Sequence, residues 1–218
     1  MTNIFNTMKN YIFLLLIGFL LVSCQNDEEK QTDEEKAKVA ASEAFRSANY
    51  YLEQHDTVRA KGNYAYAVKL NPTESHYWIG LGNLYFNLND HKRAIETYSE
   101  AIRLNPDMSS FWFNRAKSRE SIGDLEGALN DCLKAIDLNP NEGYYWDFLG
   151  TLHYNLNNYS SAISDYSKAI EFEPSTAIFF SNRAAAKFRN NDKEGACADA
   201  RIAQQLGKDI DISILDCD

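Results

Sequence analysis

The sequence predicts an all-α fold, a solenoid built from repeated pairs of helices, and three observations predict it. The hexapeptides AVKLNP, AIRLNP, AIDLNP and AIEFEP begin at intervals of 34 residues. All four prolines of the chain lie at one position of this period, and all three tryptophans lie at another. Alanine or glycine recurs at three further positions of the same period. A period of this length is the sequence signature of a repeat protein.

Five units of this period result when the proline is assigned to position 32. The units are residues 41–74, 75–108, 109–142, 143–176 and 177–208. Positions are counted within these units throughout.

Each unit is predicted to contain two helices, A and B. In unit two, Trp78, Leu81 and Tyr85 are spaced as on one face of a first helix, and Ala94 and Tyr98 on one face of a second. Small residues at positions 8, 20 and 27 allow the helices to approach closely, while aromatic residues at positions 4, 11 and 24 fill the space beside them. The proline closes the unit because it cannot donate a backbone hydrogen bond. Ten helices are therefore expected.

The motifs W-x2-L-G-x2-Y at 78–85 and A-x3-Y at 94–98, followed by Pro106, closely resemble the tetratricopeptide repeat. The resemblance covers about residues 41–208. It implies a right-handed solenoid in which helix A positions 2, 5, 9, 12 and 13 line a concave surface that binds a protein or peptide. The terminal units depart from the pattern, as expected for units whose outer face has no neighbour.

The resemblance also implies which residues would bind a partner. On the concave surface it places Asn83, Asn87, Phe113, Lys117, Tyr144, Asp147, Tyr154 and Asn155. Asn83 and Asn114 match the chaperone-binding members of the family, but Ile79 and Tyr144 stand where those members have lysines, so binding of a chaperone tail is not expected. One alternative is that Phe113 and Tyr154 pack against neighbouring helices and the surface is inert. Another is a surface glycan-binding accessory, since aromatic and amide side chains also suit sugar rings.

The segment before the repeats predicts export. Residues 11–22 form an apolar run behind Lys9, too short to span a membrane and typical of a secretion signal. The run ends in LVSC, which resembles a bacterial lipoprotein signal and implies that residues 1–23 are removed and Cys24 is lipidated. A signal peptide with an incidental cysteine is the alternative. Either Met1 or Met8 could be the start.

Residues 24–40 are expected to form an acidic tether that runs into the first helix. Gln25 does not resemble the signal that retains lipoproteins at an inner membrane. The acidic residues 27–29 are similar to signals that export lipoproteins to an outer surface, although a solvated linker would look the same. We therefore expect a lipid anchor at the outer membrane, with the periplasmic or surface face left open.

Charge excludes one class of partner. Lys9 is the only charged residue in 1–23, so the chain after it has 21 basic and 31 acidic side chains and a net charge of −10. Nucleic acid is not an expected partner because phosphate binding needs a basic surface. The four histidines and four cysteines form no HxH or CxxC motif, so no catalytic residues, metal site or cofactor are expected.

Two arginines interrupt the apolar pattern at position 7 of helix A. Arg115 and Arg183 stand where units two and four have leucine. A buried arginine requires a carboxylate partner. Asp131 and Asp199 at position 23 are the expected partners, with Asp165 an alternative for Arg183. The other interpretation is that these arginines bind an acidic ligand.

Three cysteines remain besides Cys24. Cys132 replaces a core tyrosine and is expected to be buried and free. Cys197 and Cys217 could form a disulfide, which an oxidising compartment permits. Such a bridge would fix residues 209–218 as a cap over the last helix.

Overall fold

A computed structural model describes residues 32–209 and Cys217. Its ten helices are α1 (32–53), α2 (Thr57–Leu70), α3 (Ser75–Asn87), α4 (His91–Leu104), α5 (Ser109–Ser121), α6 (Leu125–Leu138), α7 (Gly143–Asn155), α8 (Tyr159–Phe172), α9 (Ala177–Arg189) and α10 (Lys193–Gln205). These residues contain no strand, and the predicted all-α solenoid is confirmed. The chain divides into two compact bodies, one ending at Thr73 and one starting at Glu74. The second body contains α3 to α10.

The turn between helices A and B has the same construction in every unit. Helix A is followed by one residue in the left-handed region, namely His55, Asn89, Gly123, Asn157 or Asn191. The next residue caps helix B. In four units this residue is an aspartate whose side chain accepts a hydrogen bond from the backbone N–H three residues later. A sharp reversal followed by a capped start holds the two helices of a unit together.

The connection from one unit to the next explains why tryptophan follows proline in the period. Trp112 donates its indole N–H to the carbonyl of Pro106 at 2.8 Å, and Trp146 does the same to Pro140 at 2.8 Å. In both cases helix B ends before the proline. The tryptophan of the following helix A then satisfies the carbonyl of that proline.

Close approach of helices A and B depends on the small residues. Ala94, Ala128 and Ala162 at position 20 are completely buried. A Cβ atom added to Gly82 would lie 2.5 Å from the ring of Tyr98, a distance that side chains do not tolerate. The aromatic ring therefore packs directly on the helix A backbone.

The buried arginines pair as expected. Arg115 donates from Nε and Nη2 to the two carboxylate oxygens of Asp131 at 2.8 and 2.7 Å, and its Nη1 donates to Ser99 of the preceding unit at 2.9 Å. Arg183 makes the same contacts with Asp199 at 2.7 and 2.7 Å and with Ser167 at 3.0 Å. The prediction that these arginines have structural carboxylate partners is confirmed. Each pair joins a unit to the one before it.

The alternative partner Asp165 is wrong. Its carboxylate instead lies 2.6 Å from Nδ1 of His153. Burial raises the pKa of Asp165, and the contact with His153 partly opposes this effect. At Asp199, burial would also raise the pKa, but hydrogen bonds from Arg183 and Lys187 hold it below its usual value.

Cysteine chemistry differs between the core and the C-terminal end. Cys132 is buried and free, as predicted, and burial raises the pKa of its thiol to about 12. Cys197 and Cys217 form a disulfide with a Cα–Cα distance of 5.6 Å. Residues 210–216, which were expected to cap the last helix, lie outside the described residues.

Replacing Asp131 with alanine should reduce the free energy of unfolding by about 3–5 kcal/mol. The change leaves Arg115 and Arg119 without the carboxylate that both contact. Urea denaturation followed by circular dichroism measures the effect. The matched control is Asp137→Ala on the same helix, which removes an exposed ion pair with Lys134 and should change stability by no more than about 0.5 kcal/mol. Equal effects of the two changes would show that the buried pair contributes no more than the exposed one.

Candidate functional site

The candidate site is the surface formed by positions 2, 5, 9, 12 and 13 of α3, α5, α7 and α9, here called the A-helix wall. It lies wholly within the body that starts at Glu74. Of the predicted binding residues, Asn83, Asn87, Tyr144 and Asn155 are exposed and Phe113, Lys117, Asp147 and Tyr154 are half-buried. The wall therefore carries polar groups that are free to meet a ligand and others held by the core.

A polar cavity of about 290 Å³ opens on the wall. It is lined by Asn83, Phe86, Asn87, Tyr98, Asn114 and Lys117. The carbonyl oxygen of Asn83 accepts from the Tyr98 hydroxyl at 2.8 Å and from the Asn114 amide at 3.3 Å. These bonds orient Asn83 so that its NH2 group, a hydrogen-bond donor, is left for a ligand.

Lys117 gives this cavity its charge. Its ammonium lies 5.0 Å from the ring centroid of Phe86 and 5.8 Å from that of Phe113, within cation–π range. No carboxylate among residues 32–209 is within ion-pair distance of it. The cavity thus presents a positive charge beside amide donors.

Two of the three predicted wall aromatics, Phe113 and Tyr154, serve the core more than the wall. The Phe113 ring lies 4.6 Å from that of Tyr145 and 5.3 Å from that of Phe148. Tyr154 packs edge-on against Tyr159 at 5.4 Å. The alternative that these two rings pack against neighbouring side chains therefore describes the structure correctly.

Tyr144 is an aromatic residue that the wall leaves available. Half of its surface is exposed (50%), and its ring contacts Phe179 edge-on at 5.2 Å. A supported but exposed ring can add apolar contact area at little cost in side-chain entropy. Asn155, also exposed, donates to Glu120 at 3.4 Å.

Asp147 is an acidic group of the wall. Its carboxylate accepts a hydrogen bond from Asn182 at 2.8 Å. Burial raises the pKa of Asp147 to about 6, because desolvation of the carboxylate outweighs the bond from Asn182. Within the described part of the chain, no cationic side chain pairs with it. This carboxyl group therefore changes its charge near neutral pH.

Sequence reasoning missed three residues that shape the wall: Tyr98, Asn182 and Glu120. Tyr98 was assigned only to the core, yet its hydroxyl reaches Asn83. Asn182 is the first residue of the sequence NRA at 182–184, which also occurs at 114–116 with Asn114 in the equivalent position. This recurrence was a signal that could have identified Asn182.

Because its folded-state pKa is raised, Asp147 should make stability fall as pH rises. Its contribution is fully present below the unfolded pKa near 3.8 and is lost as pH rises through about 6. The loss should be at most about 3 kcal/mol. Urea midpoints measured across this range for the wild type and Asp147→Asn give the difference. The variant should lack the component, since its amide does not ionise. Parallel curves for the two proteins would show that Asp147 titrates normally.

Residues 32–209 lack the features of two other kinds of site. These residues contain no group of three or more His, Cys, Asp or Glu arranged to hold a metal ion. No helix among them has both the length and the apolar character needed to cross a membrane.

Comparison with known proteins agrees with the repeat geometry. Residues 77–108, 109–142 and 144–176 match family models of the tetratricopeptide repeat. The chain contains tetratricopeptide repeats. These matches cover units two to four, which include most of the A-helix wall. Comparison with curated protein sequences finds no match.

Solved structures of tetratricopeptide repeat proteins share the fold. The protein MamA is similar with a TM-score of 0.71 and 17% identity, over 77% of this chain and 91% of that one. YrrB, a tetratricopeptide repeat protein with an unusual peptide-binding site, has a TM-score of 0.66 and 21% identity over 82% and 91%. A tetratricopeptide repeat protein from Parabacteroides merdae ATCC 43184 has a TM-score of 0.69 and 21% identity over 82% and 68%. At these identities the likeness shows the fold alone.

Proposed function

We propose that this protein is a non-catalytic scaffold that binds a protein or peptide segment on the A-helix wall and is anchored by lipid at the outer membrane. The observation that carries the binding role is the polar cavity of about 290 Å³, beside which the wall also offers an exposed aromatic ring and unpaired charges. The wall belongs to repeats whose family typically binds proteins rather than catalysing reactions.

The chemistry of the wall suits an extended peptide. Asparagine can both donate to and accept from a peptide backbone, and Asn83, Asn87 and Asn155 are all exposed. Tyr144 supplies a ring against which a ligand side chain can pack. The resemblance to YrrB, described as having a peptide-binding site, supports the same class of ligand.

One structural feature supports an exported location. The disulfide between Cys197 and Cys217 suits an oxidising compartment. Cys24 and residues 25–31 of the acidic tether lie outside the described residues, whereas residues 32–40 belong to α1. Lipidation would hold the repeats at the membrane while the tether provides reach. We propose the periplasm or the cell surface as the compartment that the repeats face.

The double substitution Tyr144→Ala and Asn155→Ala should weaken binding of the partner by at least about tenfold, because an aromatic anchor in an interface typically contributes about 2 kcal/mol or more. The partner is first captured from detergent-solubilised membranes and identified, and its dissociation constant is then measured with both proteins. Thermal stability should change little, since both side chains are exposed.

The control for this experiment is Asn130→Ala with Leu133→Ala. These residues are exposed on α6, a helix B, and do not belong to the wall. Binding should be unchanged. If the wall variant binds with wild-type affinity, the partner uses another surface. Retention on a polysaccharide column without a protein partner would instead favour the glycan-binding alternative.

Replacing Cys24 with alanine should release the protein from membranes. The wild type is expected in the detergent phase of a Triton X-114 partition, and the variant in the aqueous phase, because the lipid would be the only anchor. Cys132→Ala retains Cys24 and should remain in the detergent phase. A Cys24→Ala protein that stays with detergent would contradict the lipid assignment.

A further inference from the structure

Lys117 and Asp147 are two partly buried charged groups on the A-helix wall. By contrast, the deeply buried carboxylates Asp131 and Asp199 of this body each contact two cations. Lys117 and Asp147 have no such partner among residues 32–209. A partly desolvated charge without a partner is unfavourable, and a ligand that supplies the partner regains that free energy.

The positive charge faces unit two. Lys117 is at position 9 of α5 and contacts the ring of Phe86 on α3. Around it, the cavity also presents Asn87 and the NH2 group of Asn83, whose carbonyl is already occupied. Donors and a cation with no carboxylate of residues 32–209 within ion-pair distance form a setting for a ligand carboxylate.

The negative charge, that of Asp147, lies on the side of the wall nearer unit five. Asp147 is at position 5 of α7 and is contacted by Asn182 on α9. Glu120, on the side of α5 nearer α7, reaches Asn155 and adds a second acidic group. Arg189, the cation farther along the wall, is held by a hydrogen bond of 2.7 Å to Tyr159. This region therefore suits a cationic ligand group.

We propose that the A-helix wall binds an extended peptide in one direction, with a carboxylate of the peptide beside Lys117 and a cationic side chain beside Asp147. The proposal rests on the proposed peptide-binding function and adds the charge order of the ligand. Tyr144, which lies on α7 with Asp147, would contact the part of the peptide near the cationic side chain.

The spacing of the two ligand charges follows from helix geometry. Packed neighbouring helices lie about 8–10 Å apart. An extended chain advances about 3.3 Å per residue. The acidic and basic residues of the peptide should therefore be about two to three residues apart. The charges of the protein fix the direction because reversal of the peptide would place like charges together.

Selection from a phage-displayed library of random dodecapeptides tests the proposal. The full chain, solubilised in detergent and immobilised at low salt and about pH 8 so that Asp147 is ionised, is the target. Enriched peptides should carry an acid and a base in constant order at this spacing. A synthetic selected peptide should bind at least about tenfold more tightly than the same peptide with its acid and base exchanged.

Two variants connect each ligand charge to its protein partner. Lys117→Gln should weaken binding of the selected peptide by about tenfold. The same variant should not further weaken binding of a peptide whose acidic residue is replaced by glutamine. Asp147→Asn should show the same dependence on the basic residue of the peptide. The exposed changes Lys92→Gln and Asp137→Asn should leave binding unchanged. Circular dichroism verifies that all variants are folded.

The outcomes separate this inference from the proposed function. If peptides are enriched and lose binding to the Tyr144→Ala and Asn155→Ala protein, but the exchanged peptide binds equally well, the charge order is wrong and the peptide-binding function stands. If no peptide is enriched on the wild-type protein, both proposals fail. Additive effects of the protein and peptide changes would also overturn the assigned contacts.

Discussion

The close approach of helices A and B is the constraint on which the rest of this structure depends. Alanine at position 20 and glycine or alanine at position 8 allow an aromatic ring from helix B to lie on the backbone of helix A, as Tyr98 does on Gly82. Because the Tyr98 ring packs on the backbone of helix A, its hydroxyl can donate a hydrogen bond to Asn83 on the wall. The packing of the core thereby orients a side chain of the binding surface.

Polar contacts then connect one unit to the next. The arginine of units three and five binds its own aspartate and a serine of the preceding unit, at nearly the same distances in both places. The Asn residue one position before each arginine points to the wall and contacts the preceding unit there, through Asn114 to Asn83 and Asn182 to Asp147. A three-residue motif, NRA, thus serves both the interface between units and the surface that faces a ligand.

Some charged groups of this body are paired within the protein, and others on the wall have no such partner among the described residues. Arg115 with Asp131, and Arg183 with Asp199, neutralise each other within the protein, and their hydrogen bonds offset the cost of desolvation. Lys117 and Asp147 are held by ring packing and by one amide, which position them without neutralising them. Such preorganised groups lose little conformational entropy when a ligand arrives. This division between neutralised and free charges would give the wall the direction that we propose for a bound peptide.

The sequence by itself determined the all-α solenoid, the two helices of each unit and the pairing of Arg115 with Asp131, because a fixed period specifies which residues share a helix face and a buried arginine has few possible partners. It could not decide which wall side chains are free. Phe113 and Tyr154 occupy wall positions, yet their rings pack against residues of the core. The partner of Asp165, the raised pKa of Asp147 and the cavity beside Lys117 likewise depend on residues from adjacent helices. Only the tertiary structure decides such features, since exposure and desolvation are set by neighbours that are distant in sequence.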